Sequence, residues 1–354
     1  MNQRVDYFIV GLGLAGSTLA WELVQRGKTV MVFDAPADNH ASAVAAGLFN
    51  PITGKVMTKA WKADILFPFL KNFYSSAEKI LKRNFFHLSP MYRPFISTDE
   101  RKLWKQKSET DELKDFVSEF REVSFFEHQV NNPFGGIGIA HAGYLQVGLW
   151  IAAIRDFLRS QNSYQECLFN DQELLFDGAV TYQEWAADKI IFCNGLGSLQ
   201  SRWFEKLPII PLKGEVLTVK INQVLDRIYN RGVFIVPSVE ANVYRVGSTY
   251  EHKPFLEGPS TGARESLESK LHELIPSPFE IVHQEWGIRP TSPDRRPMLG
   301  AHPDNKNVVI FNGLGTKGVS LAPYFAHHLA DWLEGVDDLS TEVNIYRFKA
   351  LYSK

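Results

Sequence analysis

"VDYFIVGLGLAGSTLAWELVQRGKTVMVFD", residues 5 to 34, decides how the rest of the chain is read. A short apolar strand runs into Gly11, Gly13 and Gly16 in the spacing G-x-G-x-x-G. A helix follows, then a turn at Gly27 and a second β-branched strand ending at Asp34. Together these predict a complete βαβ unit. Each glycine has its own physical duty: Gly11 permits the tight turn, Gly13 lets a pyrophosphate approach the backbone, and Gly16 allows the helix to pack on the strand. The start of such a helix offers free N–H groups and a partial positive charge to phosphates. Asp34, 18 residues past Gly16, is placed to accept hydrogen bonds from an adenosine ribose. A ligand-free glycine turn is the competing reading. Both strands, the helix and the acid in register favour dinucleotide binding, without separating NAD from FAD, which share the ADP half.

A second glycine turn lies near the other end of the chain. "NVVIFNGLGTKGVSLAPYFAHHLADWLEG", residues 307 to 335, again reads strand, turn, helix, with Gly313, Gly315 and Gly318 within six positions. Ser320 is the expected N-cap, and Pro323 is expected in the first turn, where its missing N–H has no helical partner to lose. A helix start of this kind stabilises the negative charge that a reduced flavin carries across N1 and the C2 carbonyl, and Lys317 adds to the same field. The bland alternative is the last βα turn of a doubly wound sheet, but so many glycines in so short a span favour close approach to a ligand.

Two further segments fit the same ligand. "ADKIIFCNGLGS", 187 to 198, reads as a buried strand closing on Asn194 and Gly195, suited to a sheet edge passing beneath a dinucleotide. "NHASAVAAGLFNPITGK", 39 to 55, is rich in small residues that let a backbone lie along a flat ring system, although an ordinary flexible loop has the same composition.

Composition excludes several classes. The chain has 354 residues, 45% hydrophobic and 22% charged, enough for a full core and two domains. Its 38 basic and 40 acidic side chains give a net charge of −2, and no run of like charges marks a tail for nucleic acid or membrane. Two cysteines, Cys167 and Cys193, are too few for a disulfide framework or a zinc site, so a reducing cytoplasm is expected. The apolar run from Tyr7 to Trp21 is broken by glycine and hydroxyl positions and meets Glu22 at once, unlike a secretory leader. No apolar stretch is long enough to predict a membrane span. The ten histidines have no metal-ligand spacing, and no metal is expected. The charged stretch 99 to 122 reads mostly as a solvated helical face.

Nearly end to end, the chain resembles the D-amino-acid oxidase and glycine oxidase group of FAD-dependent oxidoreductases. The resemblance rests on the N-terminal G-x-G-x-x-G and its acid, Ala45-Ala46-Gly47, "GYLQVGLWIAAI" at 143 to 154, and "ADKIIFCNG". It continues through "IPLKGEVLTV" at 210 to 219, "FIVPSVEANVYRVGSTYE" at 234 to 251, "EWGIRPTSPDRRPMLG" at 285 to 300, and the C-terminal glycine loop. More narrowly, "GLFNPITGKVMTKAW" and "NGLGTKGVSLAP" resemble the flavin half of the bifunctional enzymes that remove a carboxymethyl group from a modified wobble uridine in tRNA.

The resemblance implies an α/β architecture: a Rossmann-like FAD-binding domain, residues 1–85, 142–205 and 286–354, interleaved with a mostly antiparallel β-sheet substrate domain with helices, 86–141 and 206–285. It implies non-covalent FAD held by Gly11, Gly13, Leu14, Ala15, Gly16 and Asp34. Ala45, Ala46, Gly47, Glu173, Asn194 and Gly195 join them, as do Gly313, Gly315, Thr316, Lys317, Gly318 and Val319. No cysteine follows Cys193, and Val44 stands where relatives with covalent flavin place a histidine.

The implied activity is oxidation of an amine or amino-acid C–N bond, with electrons passing to oxygen or a carrier. Such chemistry needs an anchor more than acid-base machinery. Arg289 precedes Pro290, so its backbone is biased to an extended conformation, and its planar fork can grip a carboxylate in two parallel hydrogen bonds. In the group it resembles, the arginine of this G-I-R-P motif holds substrate carboxylate. Outside that motif a structural ion pair with Asp294 would be the simpler reading. Lys55 and Tyr244 are secondary candidates for contact with flavin or substrate, with Tyr250 at the other end of the Tyr244 strand. Acting on a glycine-like group in tRNA is the alternative function, with Lys55, Lys59, Lys62, Arg295 and Arg296 as its basic rim, although the near-neutral charge opposes strong RNA binding.

Overall fold

The computed structural model describes residues 3–35, 40–54, 57–252 and 257–352. Its first sheet has eight strands, five of them parallel in the order Tyr164–Glu166 at one edge, Val30–Asp34, Gln3–Val10, Trp185–Phe192 and Asn305–Asn312. Val30–Asp34 is buried at every position, the signature of a parallel strand covered on both faces. Alternate side chains feed two cores: Tyr7 and Ile9 pack with the helices Leu14–Gln25, Ala63–Leu81, Val147–Ser160 and Gly318–Leu333, while Phe8 and Val10 pack with Phe204 and Ile345 on the other face. Trp185–Phe192 lies inside this sheet and not at its edge, because its two sides pair with Gln3–Val10 and with Asn305–Asn312. Its carboxyl end therefore sits between the two glycine turns.

The second sheet has nine strands and is antiparallel except where Ile228–Arg231 pairs with Met91–Pro94. Its backbone is a long pair: Ile210–Ile221 runs against Phe279–Thr291, with Leu212 opposite Arg289 and Gly214 opposite Gly287. Phe279–Thr291 continues through the expected boundary at 285/286 and carries Arg289 within this sheet. The helix Thr261–Leu274 closes a third core through Leu267, Leu271 and Leu274. The charged stretch is α-helical over Thr98–Ser108, where Ser97 caps the N-terminus, with a single 3-10 turn at Lys114–Phe116. Val117–Arg121 is instead an edge strand, paired antiparallel with Gly136–Ile139 through Val117, Glu119, Phe120 and Arg121.

Candidate active site at the meeting of two glycine turns

Gly11 has φ +92°, and a Cβ there would stand 2.9 Å from the Cα of Asn194 on the neighbouring strand. A Cβ on Gly16 would meet the Gly11 carbonyl oxygen at 1.9 Å, so the helix approaches the strand only as glycine. Gly13 occupies the cap of Leu14–Gln25 without a side-chain cap of its own. The Leu14 N–H instead donates to Ser42 Oγ at 3.1 Å, which ties the turn to the small-residue loop. That loop settles on the strand Gly143–Leu145, since a Cβ on Gly47, whose φ is +74°, would lie 1.8 Å from the Leu145 carbonyl oxygen. Ala15 is buried in the first helical turn, and Ala45 and Ala46 lead from the loop's short helix into Gly47.

Asp34 is buried, with Oδ1 accepting the Leu12 N–H at 2.8 Å and Oδ2 lying 3.9 Å from Arg155 Nη2. Around it two buried polar atoms, Arg155 Nε and Tyr164 Oη, have no hydrogen-bond partner among the described residues. Burial, reinforced by the Asp34 charge, raises the pKa of both Tyr164 and Cys167. Buried polar atoms demand partners, and a ribose offers hydroxyls that both donate and accept. The residues present therefore fit an ADP moiety. Arg155, on Val147–Ser160, had no sequence signal: register alone brings it beside an acid 121 positions earlier. Glu173 sits exposed on the turn Asp171–Glu173, its carboxylate accepting from Asn170 Nδ2 at 2.8 Å.

The second turn touches the first: a Cβ on Gly318 would stand 3.1 Å from Leu14 Cδ1. Gly313 and Gly315 have φ of +74° and +56°, and the Gly315 N–H donates to the Pro290 carbonyl at 3.0 Å, coupling the turn to the Arg289 strand. Asn312 stitches these parts together. Its amide donates to the Gly195 carbonyl (2.8 Å) and to Ser198 Oγ (3.0 Å), while its Oδ1 accepts the Gly313 N–H (2.8 Å). Asn194 Oδ1 accepts from the same serine at 2.7 Å. An asparagine closing a strand before glycine was the available clue to this role.

The last helix begins at Gly318, with Lys317 and not Ser320 at the cap; the Ser320 hydroxyl donates back to the Lys317 carbonyl at 3.1 Å. Pro323 consequently falls in the second turn and not the first. Its ring removes the donor for the Val319 carbonyl, which the Tyr74 hydroxyl serves instead, at 3.4 Å. Val319 is buried, whereas Thr316 and Lys317 are exposed. Partial desolvation, with the charge of Arg295, lowers the Lys317 pKa from the ordinary lysine value.

Arg289 is half-buried and has no carboxylate partner among the described residues. Asp294 pairs with Arg347 instead (3.0 Å). The Arg289 guanidinium donates through Nη1 to the Thr249 carbonyl (3.2 Å) and lies over the Tyr250 ring, 5.1 Å from its centroid. Burial lowers its pKa, as expected for a cation partly stripped of water with no acid to compensate. Tyr244 belongs elsewhere: it is 4% exposed in the third core, its hydroxyl donating to the Gln223 carbonyl and accepting the Leu225 N–H. Strand alternation turns it away from the face that carries Arg245 and Gly247. Lys55 lies outside the described residues.

The expected basic rim is largely neutralised, with Lys59 paired to Asp64 (2.6 Å) and Lys62 and Arg296 both paired to Glu342 (2.9 and 3.5 Å). Arg295, Arg296 and Lys317 line a cavity of about 240 Å³ together with Trp61 and Asp294. Among the described residues no group of His, Cys, Asp or Glu is arranged to hold a metal, and no helix is long and apolar enough to cross a membrane.

The sequence matches the family model for FAD-dependent oxidoreductases of the D-amino-acid oxidase type over residues 6–332. The chain belongs to this family. It is therefore an FAD-dependent oxidoreductase with the mixed α/β fold of its relatives. Its similarity to the glycine oxidase of Bacillus licheniformis is 25% identity over 362 residues, covering 95% of this chain and 94% of that protein. It is also 25% identical, over 385 residues, to a tRNA 5-methylaminomethyl-2-thiouridine biosynthesis bifunctional protein of Leptospira borgpetersenii, covering 92% of this chain and 57% of that one. Among solved structures, glycine oxidase from Geobacillus kaustophilus superposes with a TM-score of 0.76 at 19% identity, over 98% of each chain.

Proposed function

We propose that this oxidoreductase oxidises the C–N bond of a small amine bearing a carboxylate on the carbon next to nitrogen, with Arg289 as the carboxylate anchor. The observation that carries this reading is a desolvated guanidinium without an acidic partner among the described residues, on the sheet strand that hydrogen-bonds to the second glycine turn. Bound FAD supplies the hydride acceptor for the substrate α-carbon. One arm of Arg289 is held by Thr249, which leaves the rest of the fork for two parallel hydrogen bonds to a carboxylate. That grip fixes where the α-carbon lies. Gly214, paired with Gly287, has no side chain, and the guanidinium lies across it.

In this reading residues 1–85, 142–205 and 286–354 carry the cofactor, and 86–141 and 206–285 cover it. Gly11, Gly13, Leu14, Ala15, Gly16, Asp34, Asn194 and Gly195 hold the ADP side. Ala45, Ala46, Gly47, Gly313, Gly315, Thr316, Lys317, Gly318 and Val319 hold the flavin side, and Lys317 adds positive field there. The flavin is non-covalent, electrons leave to oxygen or a carrier, and two free cysteines suit a reducing cytoplasm. Polyanion binding draws little support from a rim in which Lys59 and Lys62 are already paired. The test is twofold: acid should release FAD into the supernatant, and an anaerobic panel of amino acids and amines should bleach the flavin only with carboxylated members. Release of FMN or NAD, or a flavin that no amine reduces, would refute the reading.

A further inference from the structure

Arg245 and Glu285 form an ion pair on the sheet face that carries Arg289, with side chains 18% and 26% exposed. Arg245 stands opposite Thr218 and Glu285 opposite Val216, so Glu285 lies four residues along its strand from the anchor, about 13 Å at 3.3 Å per residue, and Arg245 lies further along the sheet. Its Nη1 serves both Glu285 and Thr218 Oγ1, the latter at 3.1 Å. Its Nη2 leaves the sheet altogether and donates to the Val44 carbonyl at 2.8 Å, 201 positions earlier.

Val44 ends the short helix Ala41–Val44 and immediately precedes Ala45-Ala46-Gly47. The first glycine turn holds this loop at Ser42, and the strand Gly143–Leu145 holds it at Gly47. The segment is also bridged by backbone from His40 to Ile288 on the other sheet, and Arg245 adds from that sheet a side-chain hold at the loop's far end. The hold is directional, because a guanidinium fork can face a carboxylate with one arm and a carbonyl with the other, whereas an ammonium cannot keep both geometries. Glu285 makes the arrangement tolerable: a half-buried arginine without it would be an uncompensated charge.

We propose that Arg245, charge-balanced by Glu285, is a positioning residue that locks the Ala41–Gly47 loop to the sheet bearing Arg289 and so fixes the anchor relative to the bound flavin. This inference rests on the proposed function for its catalytic consequence, but the lock itself is a property of the chain. Because Glu285 and Thr218 occupy one arm and Val44 the other, Arg245 is not a second carboxylate ligand.

The experiment is backbone hydrogen exchange of the peptide spanning 40–47 in wild type, Arg245→Gln, Arg245→Lys and Glu285→Gln, each with and without added FAD. Stopped-flow flavin reduction by N-methylglycine accompanies it. Arg245→Gln should speed exchange in that peptide by about 10- to 100-fold, the scale of one charge-assisted hydrogen bond, while the helix Thr261–Leu274 exchanges as in wild type. Arg245→Lys should fall between. In the holoenzyme the limiting reduction rate should drop by roughly 10-fold or more, with the substrate dissociation constant within about twofold of wild type. Unchanged exchange at 40–47, or a loss confined to substrate affinity, would overturn the proposal. A wild-type chain that takes up no FAD would instead sink the functional reading and leave the exchange comparison intact.

Discussion

The Arg289 guanidinium lies across Gly214: a Cβ at position 214 would stand 2.0 Å from Nη2 and 2.2 Å from Cζ. Gly214 has an ordinary strand conformation, so alanine there is tolerated by the backbone and resolves its clash by pushing the flexible end of Arg289 aside. Gly214→Ala should therefore leave FAD affinity unchanged and lower kcat/KM for carboxylated amines by about 10- to 100-fold, mainly through KM. Steady-state kinetics beside FAD titration checks this. An unaffected KM would mean that the guanidinium does not meet substrate where it now lies.

Asp34→Ala should weaken FAD retention by about 1.5 to 3 kcal/mol, because an ionised acceptor for ribose hydroxyls is lost. Arg155→Leu should act in the same direction and more weakly, since it stands 3.9 Å from Asp34 and contributes an unpartnered Nε. Fluorescence titration of the apoprotein with FAD measures both. Wild-type affinity in Asp34→Ala would remove Asp34 from the cofactor site.

The first βαβ unit and the second glycine turn were legible because their determinants are local: glycine spacing, strand composition and an acid at a fixed interval. Arg245, Arg155, Tyr74 and Asn312 were not, because each acts on a partner brought to it by long-range strand register or helix packing. Ser320 looked like a cap because serine ahead of an apolar run usually is one. The glycine turn runs straight into helix at Gly318, and the cap falls on Lys317. Tyr244 and Tyr250 looked alike in sequence. The end of the strand separates them: Tyr244 lies within Val243–Gly247 and points into the core, while Tyr250, past the strand end, remains 64% exposed beside Arg289.

The two helices that follow the glycine turns are clamped at their far ends by Glu22, Arg26, His327, Asp331 and Glu334. The Glu22 hydrogen bond raises the His327 pKa. A raised folded-state pKa gives stability that is fully present below the unfolded histidine value, about 6.5, and is lost as pH rises through the folded one. Thermal melts should therefore show this contribution fading from about pH 6.5 upward, worth less than about 1 kcal/mol because His327 is 41% exposed. His327→Gln should be less stable than wild type at pH 6 and similar to it at pH 9. An equal deficit at both values would show that the imidazolium is not what clamps the helices.

The central claim is that Arg289 anchors a substrate carboxylate, and the most direct measurement compares anaerobic flavin reduction by N-methylglycine and by N-methylethylamine, which differ in that carboxylate. Wild type should reduce its flavin far faster with N-methylglycine. Arg289→Ala should lower kcat/KM for it by about 30- to 900-fold, with Arg289→Lys recovering only part, since the charge survives and the fork does not. Equal reduction of the wild-type flavin by both amines, or an Arg289→Ala enzyme that handles N-methylglycine as wild type does, would contradict the account.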